Sequence, residues 1–208
     1  MILRRLARIG LALAVAALLS SLVTGPVTDQ IRSSIDRVLS ILADPALRGA
    51  AVAEARRGAF RRVLDEAIDF PEASRRALGI HWRARTEAER AEFVLLFKEL
   101  VETAHIQRME SYAGDTVRYV GESVEDNLAT VRTRVQPKQG DEVSVDFRLH
   151  RKDGRWLVYD VSIAGVSLVA NYRSQFNTII QTSSHAELLV RIRAKLRELA
   201  TPRAAAAR

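Results

Sequence analysis

From Val143 to His150 apolar and polar side chains alternate without a break. Val143, Val145, Phe147 and Leu149 fall on one side, and Ser144, Asp146, Arg148 and His150 on the other. A period of two over this length fits an extended strand with one buried face. Three further segments read as strands: Thr116 to Val120, Ala129 to Val135 and Arg155 to Ile163, with the alternating strand itself covering Glu142 to His150. The stretches between them, Gly121 to Asn127, Pro137 to Asp141 and Lys152-Asp153-Gly154, are rich in turn formers. Connections this short join antiparallel neighbours. Sequence of helical period lies before and after the strands, so the predicted class is α+β: a twisted antiparallel four-stranded meander packed against helices from both ends of the chain.

On the N-terminal side, Ile31, Ile35, Val38, Leu39 and Leu42 recur at helical spacing until Asp44-Pro45. The helical pattern resumes from Leu47 to Ala67, with Arg56, Arg57, Arg61 and Arg62 on its wet faces. Pro71 suits the first turn of a short helix ending at Leu78, and Gly79 ends or bends it. Thr86 and Glu89 form a capping box that opens a long amphipathic helix carrying Phe93, Leu96, Phe97, Leu100, Val101, Ala104 and Met109 and ending near Ser111 to Gly114. After Gly165 a helix presents Leu168, Val169, Tyr172, Phe176, Ile179 and Ile180. A second capping box, Ser184 to Glu187, precedes a closing helix with Leu188, Leu189, Ile192, Leu196 and Leu199.

The first residues have the pattern of an export signal. Arg4, Arg5 and Arg8 precede the apolar run Leu11 to Leu19, which is too short to span a bilayer comfortably, and small residues follow up to Gly25. Residues 1–25 are therefore expected to be a signal peptide, with an uncleaved anchor as the alternative. Residues 26–200 then form a single domain, and residues 201–208 a disordered tail. Of 32 basic and 25 acidic residues the leader holds three arginines, so the mature excess falls from +7 to +4. That balance, with no dense basic stripe and with export, speaks against nucleic acid as a partner. With no cysteine, thiolate catalysis, cysteine-based zinc sites and disulfides are excluded together.

No constellation for catalysis or a metal stands out. His81, His105, His150 and His185 are scattered and share no helical face, which reads as surface or capping histidines. Asp65 with Asp69, and Glu87 with Glu89 and Glu92, lie among arginines and read as solvated ion pairs. Asp160 sits in the apolar strand Trp156 to Val161 and points to the face opposite Tyr159 and Val161. A helix cap or ion pair suits it better than a general base. No phosphate loop or nucleophile elbow is found. What remains is an apolar sheet face (Val117, Tyr119, Val131, Val143, Val145, Phe147, Leu149, Tyr159, Val161) opposite helices bearing Phe93, Phe97 and Leu100 and Leu168, Tyr172 and Phe176. Periodicity alone does not tell a filled core from a hollow one.

Three blocks carry a resemblance. They are Asp69-Phe70-Pro71-Glu72-Ala73-Ser74-Arg75-Arg76-Ala77-Leu78-Gly79-Ile80-His81-Trp82; Thr86 to Phe93 with Phe97 and Leu100; and Tyr159-Asp160-Val161 leading to Gly165-Val166-Ser167-Leu168, Tyr172 and Phe176. In order and spacing the chain resembles the MlaC, or toluene-tolerance, family of periplasmic phospholipid-binding proteins associated with MCE-type ABC transporters. The resemblance implies that sheet and helices enclose an apolar cavity for phospholipid tails. It also implies no cofactor and no reaction, and docking to an inner-membrane MCE-type ABC transporter complex and to an outer-membrane lipoprotein or porin partner. The residues expected to touch lipid are Phe93, Phe97, Leu100, Val117, Val131, Val145, Phe147, Leu149, Tyr159, Val161, Val166, Leu168, Tyr172 and Phe176; Arg132 and Arg173 could attract a phosphate at the mouth, but plain surface charge is the favoured reading for both. Ile80 stands where the family commonly has a basic residue, and Ser183-Ser184-His185 replaces a glycine-containing turn. Neither position is read as lining the pocket. The rivals are a small-molecule enzyme on a similar NTF2-like cone, which needs Asp160 or His81 facing the cavity, and an envelope adaptor with a solid core.

Overall fold

Strand β1 (Thr116–Glu125), β2 (Leu128–Gln136), β3 (Val143–Lys152), β4 (Arg155–Ile163) and the two-residue β5 (Val166–Ser167) pair in chain order, every neighbour antiparallel. The computed structural model describes residues 25–109 and 116–200. Around the sheet lie α1 (Pro26–Ala43), α2 (Ala53–Ala67), α3 (Phe70–Leu78), α4 (Glu87–Met109), α5 (Leu168–Thr182) and α6 (His185–Ala200). The expected leader (apart from Gly25), the end of the long helix beyond Met109 and the tail 201–208 lie outside the described residues. No helix among those described is long and apolar enough to cross a membrane.

The meander is as expected, with two extensions that have local causes. The first strand does not stop at Val120 but runs to Glu125, because a bulge between Tyr119 and Gly121 absorbs one residue and restores pairing. Glu122 is then held from below: its Oε2 accepts the Thr28 backbone N–H (2.7 Å) and the Thr28 hydroxyl (2.6 Å). A carboxylate on the first N–H groups of α1 satisfies donors that no helical carbonyl can reach. Gly25 makes room for it, since a Cβ there would lie 2.4 Å from a Glu122 carboxylate oxygen. The second extension is β5, which folds back on β4 through Ala164 and Gly165, both at positive φ.

The helix boundaries follow their caps. Asp44 closes α1, and its side chain accepts from Ala46 N at 2.9 Å. The expected helix from Leu47 begins later, at Ala53, after two single 3-10 turns. The Thr86 box is complete, with Thr86 N to Glu89 Oε2 at 2.8 Å and Glu89 N to Thr86 Oγ1 at 3.2 Å. The Ser184 box is half formed: Ser184 Oγ accepts from Glu187 N, but the Glu187 carboxylate turns to Arg191 at 2.8 Å.

Two hydrophobic clusters form instead of one. In the first, Ala129, Val131, Leu149 and Val158 of the sheet pack on Val27 and Ile31 of α1. In the second, Phe93, Phe97 and Leu100 of α4 meet Ala73, Ala77 and Leu78 of α3, Phe176 of α5 and Leu188, Leu189, Ile192 and Leu196 of α6. The sheet face expected to look onto α4 and α5 is therefore covered by α1. The aromatic faces of α4 and α5 turn to α6.

Candidate functional site

The second cluster is the larger of the two and borders an open cleft. The rings of Phe93 and Phe97 stack at 5.7 Å, one helical turn apart, and Phe176 meets both edge-on at 5.7 and 5.6 Å. Tyr172 adds an edge contact to Phe97 at 5.2 Å. Pairs at these distances and angles match the ring quadrupoles and stabilise the junction beyond the area they bury. Beyond this aromatic floor, α4, α5 and α6 diverge around an open cleft of about 420 Å³. Its walls are Leu100, Leu168, Ile179, Leu188, Ile192 and Leu199, with Tyr172 and Phe176 at the base. Polar groups, among them His105, Asn171, Gln175, Arg191 and Lys195, stand among the apolar walls. Arg191 is engaged by Glu187, and Lys195 by Glu198 at 2.9 Å. An apolar site with a few polar groups binds an apolar body by exclusion of water and orients its polar end.

Of the fourteen residues expected to touch lipid, Leu100, Leu168, Tyr172 and Phe176 line this cleft. Phe93 and Phe97 lie fully buried beneath it. Val131 and Leu149 are core residues against α1, with Phe147 and Val161 packed on them. Val117 and Val145 are half-buried on the sheet and belong to neither cluster. Val166 is exposed on β5. Tyr159 does not share the face of Val161. Arg148 pairs with Asp160 and Leu149 with Val158, so Tyr159 is the extra residue of a bulge. It turns to His150 (6.0 Å between rings) and lies under the Arg76 guanidinium at 3.8 Å. The cleft is open and lies between three helices, and none of the expected sheet residues lines it. The contribution of α6 was visible in the apolar stripe of the closing helix, but its partner was not.

The groups that could have carried chemistry are engaged structurally. Asp160 is buried and accepts from Ser167 Oγ (2.6 Å), the Val169 N–H (3.0 Å) and Arg148 (3.1 Å), so it caps α5 and holds an ion pair. His81 Nε2 lies 2.9 Å from Asn177 Oδ1. Asp69, expected as a solvated partner, is instead buried. It caps α3 through Glu72 N (3.0 Å) and meets Lys152 (2.9 Å) and His150 (3.1 Å). Burial pushes its carboxyl up, but the Lys152 ammonium and the Glu72 N–H outweigh this and hold it below the usual carboxylate range. Burial also drives the Tyr119 hydroxyl up to about 12, against the guanidinium of Arg32 over its ring at 4.1 Å. No group of three metal-ligating side chains occurs among the described residues.

His185, expected at the surface, is only 6% exposed at the start of α6, and its Nε2 has no partner. Burial and the neighbouring Arg85 lower its pKa, with Glu89 and Glu92 opposing and His81 adding to the fall. The folded chain therefore prefers the neutral ring, and the unfolded chain takes the proton more readily. Stability from this site is full above about pH 6.5, the unfolded value, and is lost as pH falls from there through the lower folded value. Melting temperature is expected to drop between pH 7 and pH 5, and His185→Phe to flatten that part of the profile.

The description of the MlaC protein family matches residues 32–194. The chain belongs to the MlaC family. Among relatives of this MlaC-family chain is the intermembrane phospholipid transport system binding protein MlaC of Haemophilus influenzae, 25% identical over 107 residues. The match covers 49% of this chain and 50% of that protein, so the chain spans about half the length of this curated relative. A solved phospholipid-binding protein from Ralstonia solanacearum, in complex with a phospholipid, superimposes with a TM-score of 0.73 at 25% identity. That likeness covers 82% of this chain and 96% of the other.

Proposed function

We propose that this MlaC-family chain is a periplasmic phospholipid carrier, the soluble component of an MCE-type ABC system that moves lipid between the inner and outer membranes. The observation that carries the reading is the apolar cleft at the end of the aromatic core of α4, α5 and α6, in a chain whose fold matches that of a phospholipid-bound relative. A basic leader over residues 1–25 would deliver it to the periplasm. Taking a methylene at about the 30 Å³ of a water, the cleft holds about fourteen, which is the scale of one acyl chain. Val117 and Val145 on the sheet offer further apolar surface that neither cluster uses.

At about 0.8 kcal/mol per methylene, fourteen methylenes leave water with a gross gain of roughly 10 kcal/mol before the cost of ordering the chain. Cargo held this way is not released to water. It passes to another apolar site, and docking to an inner-membrane transporter and an outer-membrane partner serves that transfer. The protein's part is to bind, exclude water and release, with no bond made or broken. The enzyme rival needs a free acid or base at the cavity, and Asp160 and His81 are both engaged elsewhere.

Ile179 is half-buried in the cleft wall and outside the aromatic stack, so Ile179→Arg introduces charge into the cleft without removing the floor. Native mass spectrometry of the exported protein is expected to show bound phospholipid in the parent and at least tenfold less in the variant, with a similar melting temperature. Finding no phospholipid on the parent protein, and no uptake from vesicles, would remove the carrier reading and leave the adaptor.

A further inference from the structure

One surface is not explained by the cleft or by either core. At the end of α3 the chain turns sharply: Gly79 takes φ 58, ψ −127, a conformation open only to glycine, and a 3-10 turn over Gly79–His81 follows. The turn is fastened to α5 by His81 to Asn177 at 2.9 Å, and Arg173, one helical turn earlier on α5, passes within 3.2 Å of the place a Gly79 Cβ would occupy. This anchoring lifts Ile80 into solvent. It is 80% exposed, the most exposed large apolar side chain among the described residues.

The charges around it are mostly positive and in part unpaired. Arg75 and Arg76 are taken up by Glu72 at 2.7 Å each. Arg85 is taken up by Glu89, and Arg90 by the carbonyls of Trp82 and Arg83. The side chains of Arg83 and Arg173 form no ion pair among the described residues. Over residues 70–90 with Arg173, six arginines face three acids, Glu72, Glu87 and Glu89. A lone exposed apolar side chain is common on protein surfaces and means little by itself. Ile80 is different in standing on a turn fastened to α5 through His81, next in sequence to the Gly79 that Arg173 approaches and three residues before the likewise unpaired Arg83.

We propose that the Gly79–His81 turn is a contact for an anionic bilayer surface, with Ile80 entering the interface and Arg83 and Arg173 meeting lipid phosphates. A single protruding apolar side chain with cations nearby suits a fluid surface that closes around it, whereas a folded partner needs a broad complementary patch. Juxtamembrane cations and one inserted apolar residue together give the weak, reversible, salt-sensitive attachment that two small signals produce. For a carrier such a contact would bring the molecule to its source or destination. That use rests on the function proposed above, but the contact itself does not.

Co-sedimentation with vesicles tests it, using phosphatidylglycerol-containing and purely phosphatidylcholine vesicles and the chain recovered from the periplasm. The parent is expected to bind the anionic vesicles at low salt and to release at high salt. Arg83→Gln and Arg173→Gln are each expected to weaken binding about fivefold, and Ile80→Asp about tenfold. Leu95 gives an internal control: it is 69% exposed on α4, three residues after Glu92 and four before Glu99, so Leu95→Asp should change nothing. All four positions are exposed, and a circular dichroism melt confirms the fold. Equal binding by parent, Ile80→Asp and Arg173→Gln, equal binding to both vesicle types, or an equal loss in Leu95→Asp each overturns the proposal. Bound phospholipid measured on the same samples reports separately on the carrier reading, and Ile80→Asp should leave it unchanged.

Discussion

Phe97→Ala is expected to lower the unfolding free energy by about 3–5 kcal/mol, the range for emptying a buried aromatic position. Phe97 is 1% exposed and meets Phe93, stacked, and Phe176 and Tyr172, edge-on. Removing it leaves Phe93 with Phe176 as the remaining aromatic contact between α4 and α5, and a void that the surrounding helices fill only in part. For a chain of this length, at about 2–4 °C per kcal/mol, the melting temperature should fall by roughly 6–20 °C. Differential scanning calorimetry measures it. Because the ring supports Tyr172 and Phe176 at the base of the cleft, phospholipid occupancy should fall with stability. Phe97→Leu, which keeps most of the volume, should restore much of both. A fall of under 1 kcal/mol would mean that the aromatic floor is not packed as described.

The second large effect is at Asp160. Asp160→Ala is expected to cost about 2–3 kcal/mol, since it removes a helix cap and leaves buried donors unmatched. The Ser167 hydroxyl and the Val169 N–H lose their acceptor, and the start of α5 loses its tie to β4. Arg148 is half exposed and can turn to water, which keeps the cost below that of a fully buried broken pair. Asp160→Asn keeps one acceptor for the Val169 N–H and should recover about half of the loss, as caps of either type serve a helix start. Chemical denaturation of the three proteins decides it. The same set separates the carrier from an enzyme. A general base would abolish function as Asn while leaving stability nearly intact, whereas a cap changes stability and leaves bound lipid in proportion to the folded fraction.

Asp160 also shows what could be read from the sequence. An acid in an apolar strand, out of phase with its neighbours, was legible as a cap or ion pair because a buried charge has to be matched. The strands and the complete capping box at Thr86 were legible for similar reasons: a period of two and a local hydrogen-bond pattern depend on neighbours in the chain. Tyr159 was not legible. One bulge between Arg148 and Leu149 moves it to the other side of the sheet, and nothing in the strand's own alternation marks where an extra residue will be absorbed. His185 looked like a surface residue until α4 was laid across it.

The sequence by itself determined four of the five strands and their order, the amphipathic helices with most of their caps, and a resemblance strong enough to place the chain among MlaC proteins. Each of these follows from periodicity or from blocks of residues close along the chain. The tertiary structure alone decided which apolar faces meet. It set the sheet against α1, turned the aromatics of α4 and α5 toward α6, and opened a cleft between those three helices. Hydrophobic burial is non-directional: every apolar stripe is rewarded for leaving water, whichever stripe it meets. Shape complementarity and the fixed points at Glu122, Asp69 and Asp160 choose between the pairings, and those join residues that lie far apart in the chain or that come together only once it has folded.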